Sequence, residues 1–246
     1  MANQKNILVT GATRGMGKEI SKVLAAQGYH IFLGARNIND GKTIAEELES
    51  KGFSVTAVQL DVTDMNSVKY ATREIPSLDI LINNAGIALE TSSPSKLDVN
   101  KVKKEFDVNV FGVMNVSSVM LPLLKKAEQA KIINISSMMG SLNSALDENS
   151  IVYGAAVAGY QSSKAALNMY TIQLAKELEK EGCNISVDLV DPGMVATEFG
   201  GLKPDTAKQM GAKSVDEGIR RVIELVVNEN GNETITFTNN EGIVPW

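Results

Sequence analysis

The chain has 246 residues, 43% of them hydrophobic and 22% charged, which is ordinary for a soluble globule and long enough for one large α/β domain. A net charge of −5 leaves no basic stripe to neutralise phosphates, so nucleic acid is not an expected partner. The single cysteine, Cys183, cannot close an intrachain disulfide, the first residues run into a strand without a signal-peptide core, and no apolar run approaches the roughly 18 residues of a membrane span; the expectation is a reducing, cytoplasmic setting without membrane attachment.

Short apolar runs alternate with longer helical patterns along the whole chain. "NILVTG" is followed by a helix over 15–27, "YHIFLGA" by 39–51, "SVTAVQLD" by 64–74, and "LDILINNAG" by a long helix near 98–127. Then come "KIINIS", a helix over 157–180, "NISVDLV", a helix near 215–229 and a last strand "TITFT". This βαβα rhythm predicts a Rossmann-like, doubly wound parallel sheet of seven strands with helices on both faces. No linker, composition shift or repeat divides it, so residues 1–246 are read as a single domain. Two stretches break the rhythm, 138–156 and 194–213; both follow strands, where the loops of an open parallel sheet surround its ligand crevice.

Two local patterns carry chemistry. "VTGATRGMGKEI" puts Gly11, Gly15 and Gly17 between the first strand and the first helix, where backbone amides at a helix N-terminus can meet a phosphate. Its spacing is G-x-x-x-G-x-G, not the common G-x-G-x-x-G, and a tight turn alone would also use glycines. Tyr160 and Lys164, four apart at the start of a helix, share a face, and an ammonium beside a phenol favours the phenolate. Taken alone this pair is ambiguous, because long helices produce such spacings freely.

"TGATRGMG" at 10–17, "NNAG" at 83–86, "YQSSK" at 160–164 and "DPGMVATE" at 191–198 occur together in the order of the short-chain dehydrogenase/reductase family, and the match spans nearly the whole chain. "LGARN", "LDVTD", "NNAGIA", "NISSMMG" and "IVPW" resemble its carbonyl-reductase-like branch. The resemblance implies a nicotinamide dinucleotide and hydride transfer between it and a small carbonyl or alcohol. It makes Tyr160 the acid, and lowering a phenol from a pKa near 10 by about 3 units requires about 4 kcal/mol of differential stabilisation, part of it from Lys164 and part from an oxidised nicotinamide ring. Lys164 would also hold the nicotinamide ribose. "IINISS" offers Ser136 and Ser137 beside the developing alkoxide, and the family pattern favours Ser137. Asn109, in "DVNVFG", is the position where the family bends its long helix and fixes a water leading to the lysine.

For the cofactor, the resemblance implies Gly11, Thr13, Arg14, Gly15, Met16 and Gly17 at the phosphates, Asn83, Ala85 and Gly86 along the adenosine side in a mostly structural role that also braces the sheet, and Tyr160 with Lys164 at the ribose. Pro192 and Gly193 would make the cofactor-side turn after the sixth strand, and the Val195 backbone and Thr197 hydroxyl would grip the carboxamide and select pro-S hydride delivery. Arg36 stands at the end of the second strand, where relatives that bind NAD place an acid, so with Arg14 it predicts NADPH/NADP+. Asp61 and the Val62 amide would meet the adenine. Ser137 and Tyr160 are 23 positions apart, more than the family usually has, so residues 140–157 form an insert. It is expected to narrow the substrate entrance and weaken the four-helix interface, giving a monomer or weak homodimer rather than a tetramer. The set 194–213 would be a mobile lid. Tyr153 has Val157 four residues on, not a lysine, and is rejected as the acid. His30 and Cys183 read as packed residues, no cluster suits a metal, and Trp246 either hangs loose or closes the site. The competing function is a catalytically silent NADP(H)-binding sensor, although such proteins usually lack the acid or the lysine.

Overall fold

The computed structural model describes residues 4–228 and 234–246. The β-branched runs pair as β1 (Asn6–Val9), β2 (His30–Ala35), β3 (Val55–Gln59), β4 (Ile80–Asn83), β5 (Ala130–Ile135), β6 (Ile185–Val190), β7 (Phe237–Asn239) and β8 (Gly242–Ile243). Among the described residues they form one sheet in the order β3-β2-β1-β4-β5-β6-β7-β8. Pairings are parallel up to β7, and β8 turns back antiparallel on it. Order reverses between β1 and β4, which opens a crevice at their carboxyl ends.

The eighth strand is a departure from the seven expected. It is two residues long, too short to leave an alternation in the sequence, and is made by a tight turn in which Asn239 Oδ1 accepts from the Glu241 amide at 2.8 Å. The seventh also starts later than "TITFT" predicts. Ile235 has a φ of 61°, which breaks strand geometry, and Asp188 Oδ1 takes the Thr236 amide and hydroxyl at 3.1 and 2.7 Å instead.

Alternate strand residues build the two apolar layers. Ile7, Val9, Ile31, Leu33, Ile82 and Val190 face α1 (Gly15–Ala26), α2 (Ile38–Glu49) and α9 (Val215–Val227). Leu8, Phe32, Leu81, Ile132 and Val187 face α3 (Met65–Ala71), α5 (Val113–Leu124) and α7 (Ala158–Lys180). The predicted end of the last helix at 229 lies outside the described residues.

The long helix near 98–127 is three pieces in one run: α4 (Val99–Phe106), a π-helical turn over Asp107–Gly112, and α5. The π-helical turn contains Asn109, the position at which the resemblance implies a bend. By length and apolarity Val99–Leu124 would suffice to cross a membrane, which corrects the reading of the sequence; here Val110, Val113, Val116, Met120 and Leu124 are buried in the core. The insert folds into α6 (Leu142–Leu146) and turns, and the Asn143 amide donates to the Trp246 carbonyl at 2.8 Å. Trp246 is neither loose nor over the cleft: its ring packs on Phe237 with centroids 5.6 Å apart. The ends of the 194–213 segment, which contains α8 (Pro204–Gln209), are tied where Lys213 N donates to Met194 O and Ala196 N to Lys213 O.

Candidate active site

The loops at the carboxyl edge enclose a cleft of about 1280 Å³ that runs from Arg36 and Asp61 at one end to Tyr160 and Met138 at the other. Its floor is the glycine turn. Gly11 (φ 62°) and Gly15 (φ 53°) hold left-handed backbone, and a Cβ on Gly11 would fall 3.0 Å from Ala85 Cα. Helices α2, α3, α4 and α9 are each capped by a side chain, Asn37, Asp64, Asp98 and Ser214 respectively; α1 is not, and its first turn has no acid. Its terminal amides therefore open on the cleft without a competing acceptor, which suits a pyrophosphate. Thr13, Arg14, Gly15, Met16, Arg36, Asp61, Val62, Ala85, Gly86, Pro192, Gly193, Val195 and Thr197 line the same cleft. Arg14 there pairs with Glu198 of the lid, Nη1 to Oε2 at 3.2 Å, both side chains largely exposed. Gly17 lies behind the lining, with Asn84 Nδ2 and Gly11 O each 2.5 Å from where its Cβ would be.

At the far end, α7 carries Tyr160 and Lys164 against the turn after β5. Ser136 is buried and donates to Asn168 Oδ1, which leaves Ser137 to hydrogen-bond the Tyr160 hydroxyl. The ring of Phe199 meets Tyr160 edge-on at 5.7 Å. Lys164 Nζ donates to the Ile135 carbonyl at 2.7 Å and lies 5.7 Å from the Tyr160 ring centroid. Burial pulls Lys164 down to about 8, opposed by the nearby Asp191 carboxylate. Burial also raises the Tyr160 phenol; the Ser137 hydrogen bond opposes this, while Asp191 and Glu105 add to it. This corrects the expectation that Lys164 depresses the phenol. Desolvation of the half-buried phenol and of the buried ammonium weighs against the charged form of each, which favours the protonated phenol.

Asn109 is fully occupied by the protein, whereas Asn83 has its amide nitrogen engaged and its buried Oδ1 without a partner. Asn109 exchanges two hydrogen bonds with the Ile87 backbone, at 2.9 and 2.8 Å, and donates to Ser163 Oγ at 3.0 Å. Asn83 is buried off the cleft, donating to Ser117 Oγ at 3.1 Å and Asn134 Oδ1 at 2.8 Å, and so braces β4 against β5 and α5. The cleft-lining residue is its neighbour Asn84, whose Nδ2 holds the Thr10 and Gly11 carbonyls at 2.9 and 3.1 Å. Tyr153 stands outside the cleft lining, and His30 is explained by Ser54 at 2.7 Å and by Phe32 edge-on at 4.6 Å.

Residues 5–208 match the family model described as short chain dehydrogenase. The chain belongs to the short-chain dehydrogenase family. It is 34% identical to a short-chain dehydrogenase of Penicillium roqueforti, over 92% of this chain and 90% of that one. It is 32% identical to an NADP-dependent 3-hydroxy acid dehydrogenase of Schizosaccharomyces pombe, over 97% and 94%. The NADPH-bound carbonyl reductase from chicken fatty liver superposes with a TM-score of 0.83 at 28% identity, covering 99% of this chain and all of that one.

In this short-chain dehydrogenase, reading the sequence passed over Asn84, Asp191, Phe199 and Glu105. Asn84 and Asp191 sit inside the quoted motifs "NNAG" and "DPGMVATE", so position beside a named residue was the available signal; Phe199 and Glu105 carry none. The close approach of Gly140 to α7 was also hidden. A Cβ there would lie 2.6 Å from the Lys164 carbonyl carbon and 2.8 Å from Ala165 N, backbone atoms with nowhere to go. Gly140→Ala is therefore expected to destabilise the short-chain dehydrogenase by about 1–3 kcal/mol and to pull the Ser137 turn away from Tyr160. Denaturant unfolding checks this, and an unchanged midpoint would mean that the contact yields freely.

Proposed function

We propose that the protein reduces a neutral aldehyde or ketone to an alcohol, reversibly, with NADPH. The observation that carries this reading is the convergence of the Tyr160 hydroxyl, the Ser137 hydroxyl and the Lys164 ammonium at one end of the cleft, with an uncapped helix N-terminus at its floor. Bound NADPH supplies the hydride. Tyr160, kept protonated, donates its proton to the carbonyl oxygen, and Ser137 holds that oxygen by a second hydrogen bond. Lys164 holds the ribose and keeps a positive charge under the phenol as it ionises. Asn109 fixes the backbone at Ile87 and, through Ser163, the first turn of α7. Around the carbonyl, Met138, Met139, Ile151, Val152 and Phe199 are apolar, which favours an uncharged substrate body.

At the other end the α1 amides and the glycine turn would take the pyrophosphate, Asp61 and Val62 the adenine, and Arg14 and Arg36 a 2′-phosphate. The exposed Arg14–Glu198 pair is worth at most about 1 kcal/mol, so a phosphate displaces Glu198 readily. Charge-assisted hydrogen bonds are worth about 1.5–3 kcal/mol, so Arg36→Asp should cut the preference for NADPH over NADH roughly tenfold or more. Comparing kcat/KM for the two cofactors tests it. Equal efficiencies in the parent, or an unchanged ratio in the variant, would sink the assignment.

The experiment on the reaction itself mixes the purified protein with NADPH and a panel of aldehydes, ketones and 3-oxo acids, and follows loss of nicotinamide absorbance. Consumption with neutral carbonyls supports the reading. NADPH binding without consumption of any of them would instead favour the silent sensor.

A further inference from the structure

Glu105, on the last turn of α4, is fully buried, and only half of its carboxylate is accounted for. Oε1 accepts from the Leu89 and Glu90 amides at 2.6 and 2.9 Å, whereas Oε2 has no partner. That orphaned oxygen faces Gly159, the residue before Tyr160, so closely that a Cβ on Gly159 would fall upon it. A buried carboxylate oxygen without a donor is costly and calls for a reason.

Two neighbours supply one. Helix α7 has no side-chain cap and no acid in its first turn, so the amides of Ala158, Gly159 and Tyr160 lack intrahelical acceptors. A negative charge at that end complements the helix dipole, and Glu105 brings it from another element. Asn109 lies four residues further along the same helical run and acts in the same two directions, holding Ile87 on one side and Ser163 of α7 on the other. Together Glu105 and Asn109 hold residues 87–90 from one helix face; Asn109 also bonds Ser163 of α7, and Glu105 packs on Gly159.

We propose that Glu105 is a positioning residue for Tyr160: its carboxylate, held by the Leu89 and Glu90 amides and packed against Gly159, seats the first turn of α7 on the 87–90 segment and lays a negative charge behind the phenol. This rests on Tyr160 being the proton donor. The charged or titratable groups around Tyr160 are Lys164 on α7, Asp191 after β6 and Glu105 on α4; Glu105 and Asp191 both disfavour the phenolate. Glu90 is the other acid beside Glu105, but its two oxygens accept from the Ser92 and Asp98 amides at 2.6 and 3.0 Å, with Lys101 beyond. With both oxygens engaged there, it cannot replace Glu105.

Glu105→Gln keeps the shape and removes the charge. Losing a negative neighbour lowers the Tyr160 pKa, so its titration should move down by roughly half a unit to one unit. The alkaline-rising limb of alcohol oxidation by NADP+ should move down with it, with KM for NADPH little changed. Glu105→Asp restores the charge and should return the titration towards that of the parent. The tyrosinate difference spectrum of each variant, referenced to Tyr160→Phe, reads the titration without any turnover. It therefore decides the role of Glu105 even for a protein that reduces no carbonyl, an outcome that would overturn the reductase reading alone. A folded Glu105→Gln protein that binds NADPH and titrates Tyr160 at the parent position would overturn the proposal, as would equal displacement in Glu105→Gln and Glu105→Asp.

Discussion

Tyr160→Phe lowers kcat for carbonyl reduction by about 10²–10⁴-fold while leaving NADPH affinity near that of the parent, because general acid catalysis is worth that much and nothing else is removed. The phenylalanine ring keeps the edge contact to Phe199 at 5.7 Å and leaves no cavity. What disappears is one hydroxyl, with its hydrogen bond to Ser137 and its proton. Steady-state kinetics with a fluorescence titration of NADPH separates the two effects. A drop smaller than about tenfold would put the proton donor elsewhere, and a loss of cofactor affinity in equal measure would make Tyr160 a binding residue.

Lys164→Met has a different signature, since on the proposed mechanism one side chain would serve binding and charge, and it also makes a buried hydrogen bond to Ile135. Turnover and NADPH affinity should fall together, each by tenfold or more on the scale of a lost charge-assisted contact of about 1.5–3 kcal/mol. Stability adds a signed test. The folded pKa of Lys164 is about 8 against 10.5 for the free side chain, so between those values the unfolded chain holds a proton that the folded protein lacks. Stability from this residue accordingly rises with pH across that window, by about 3 kcal/mol in all, and the burial penalty is fully present below pH ~8. Tyr160, shifted upward, contributes the opposite slope only above its ordinary value near 10. In denaturant unfolding at a series of pH values, the parent should gain on Lys164→Met as pH rises through the window. A constant difference would show that the lysine is hydrated rather than buried.

Much of this molecule was legible in its sequence. The alternation of β-branched runs with amphipathic ones determined the doubly wound sheet, because burial on both faces of a parallel strand leaves an apolar run that needs no knowledge of its neighbours. The glycine turn and the Tyr160–Lys164 spacing were equally local, each decided within one element and its termini, whereas Asn109 was singled out only through the family resemblance. Tertiary structure decided what depends on residues far apart in the chain. Which serine faces the phenol was settled by Asn168, 32 positions from Ser136, and which asparagine lines the cleft by Ser117 and Asn134 engaging Asn83. The sign of the shift at Tyr160 belongs to the same class. Spacing four apart on a helix predicted an attraction, but the free energy of a charge is set by how much water it has lost, and that is a property of α4, the lid and the turn after β5 closing over it together. Glu105 makes the point most directly, since nothing around it in "VKKEFDVN" distinguishes it from a solvated acid until α7 packs Gly159 against its free oxygen.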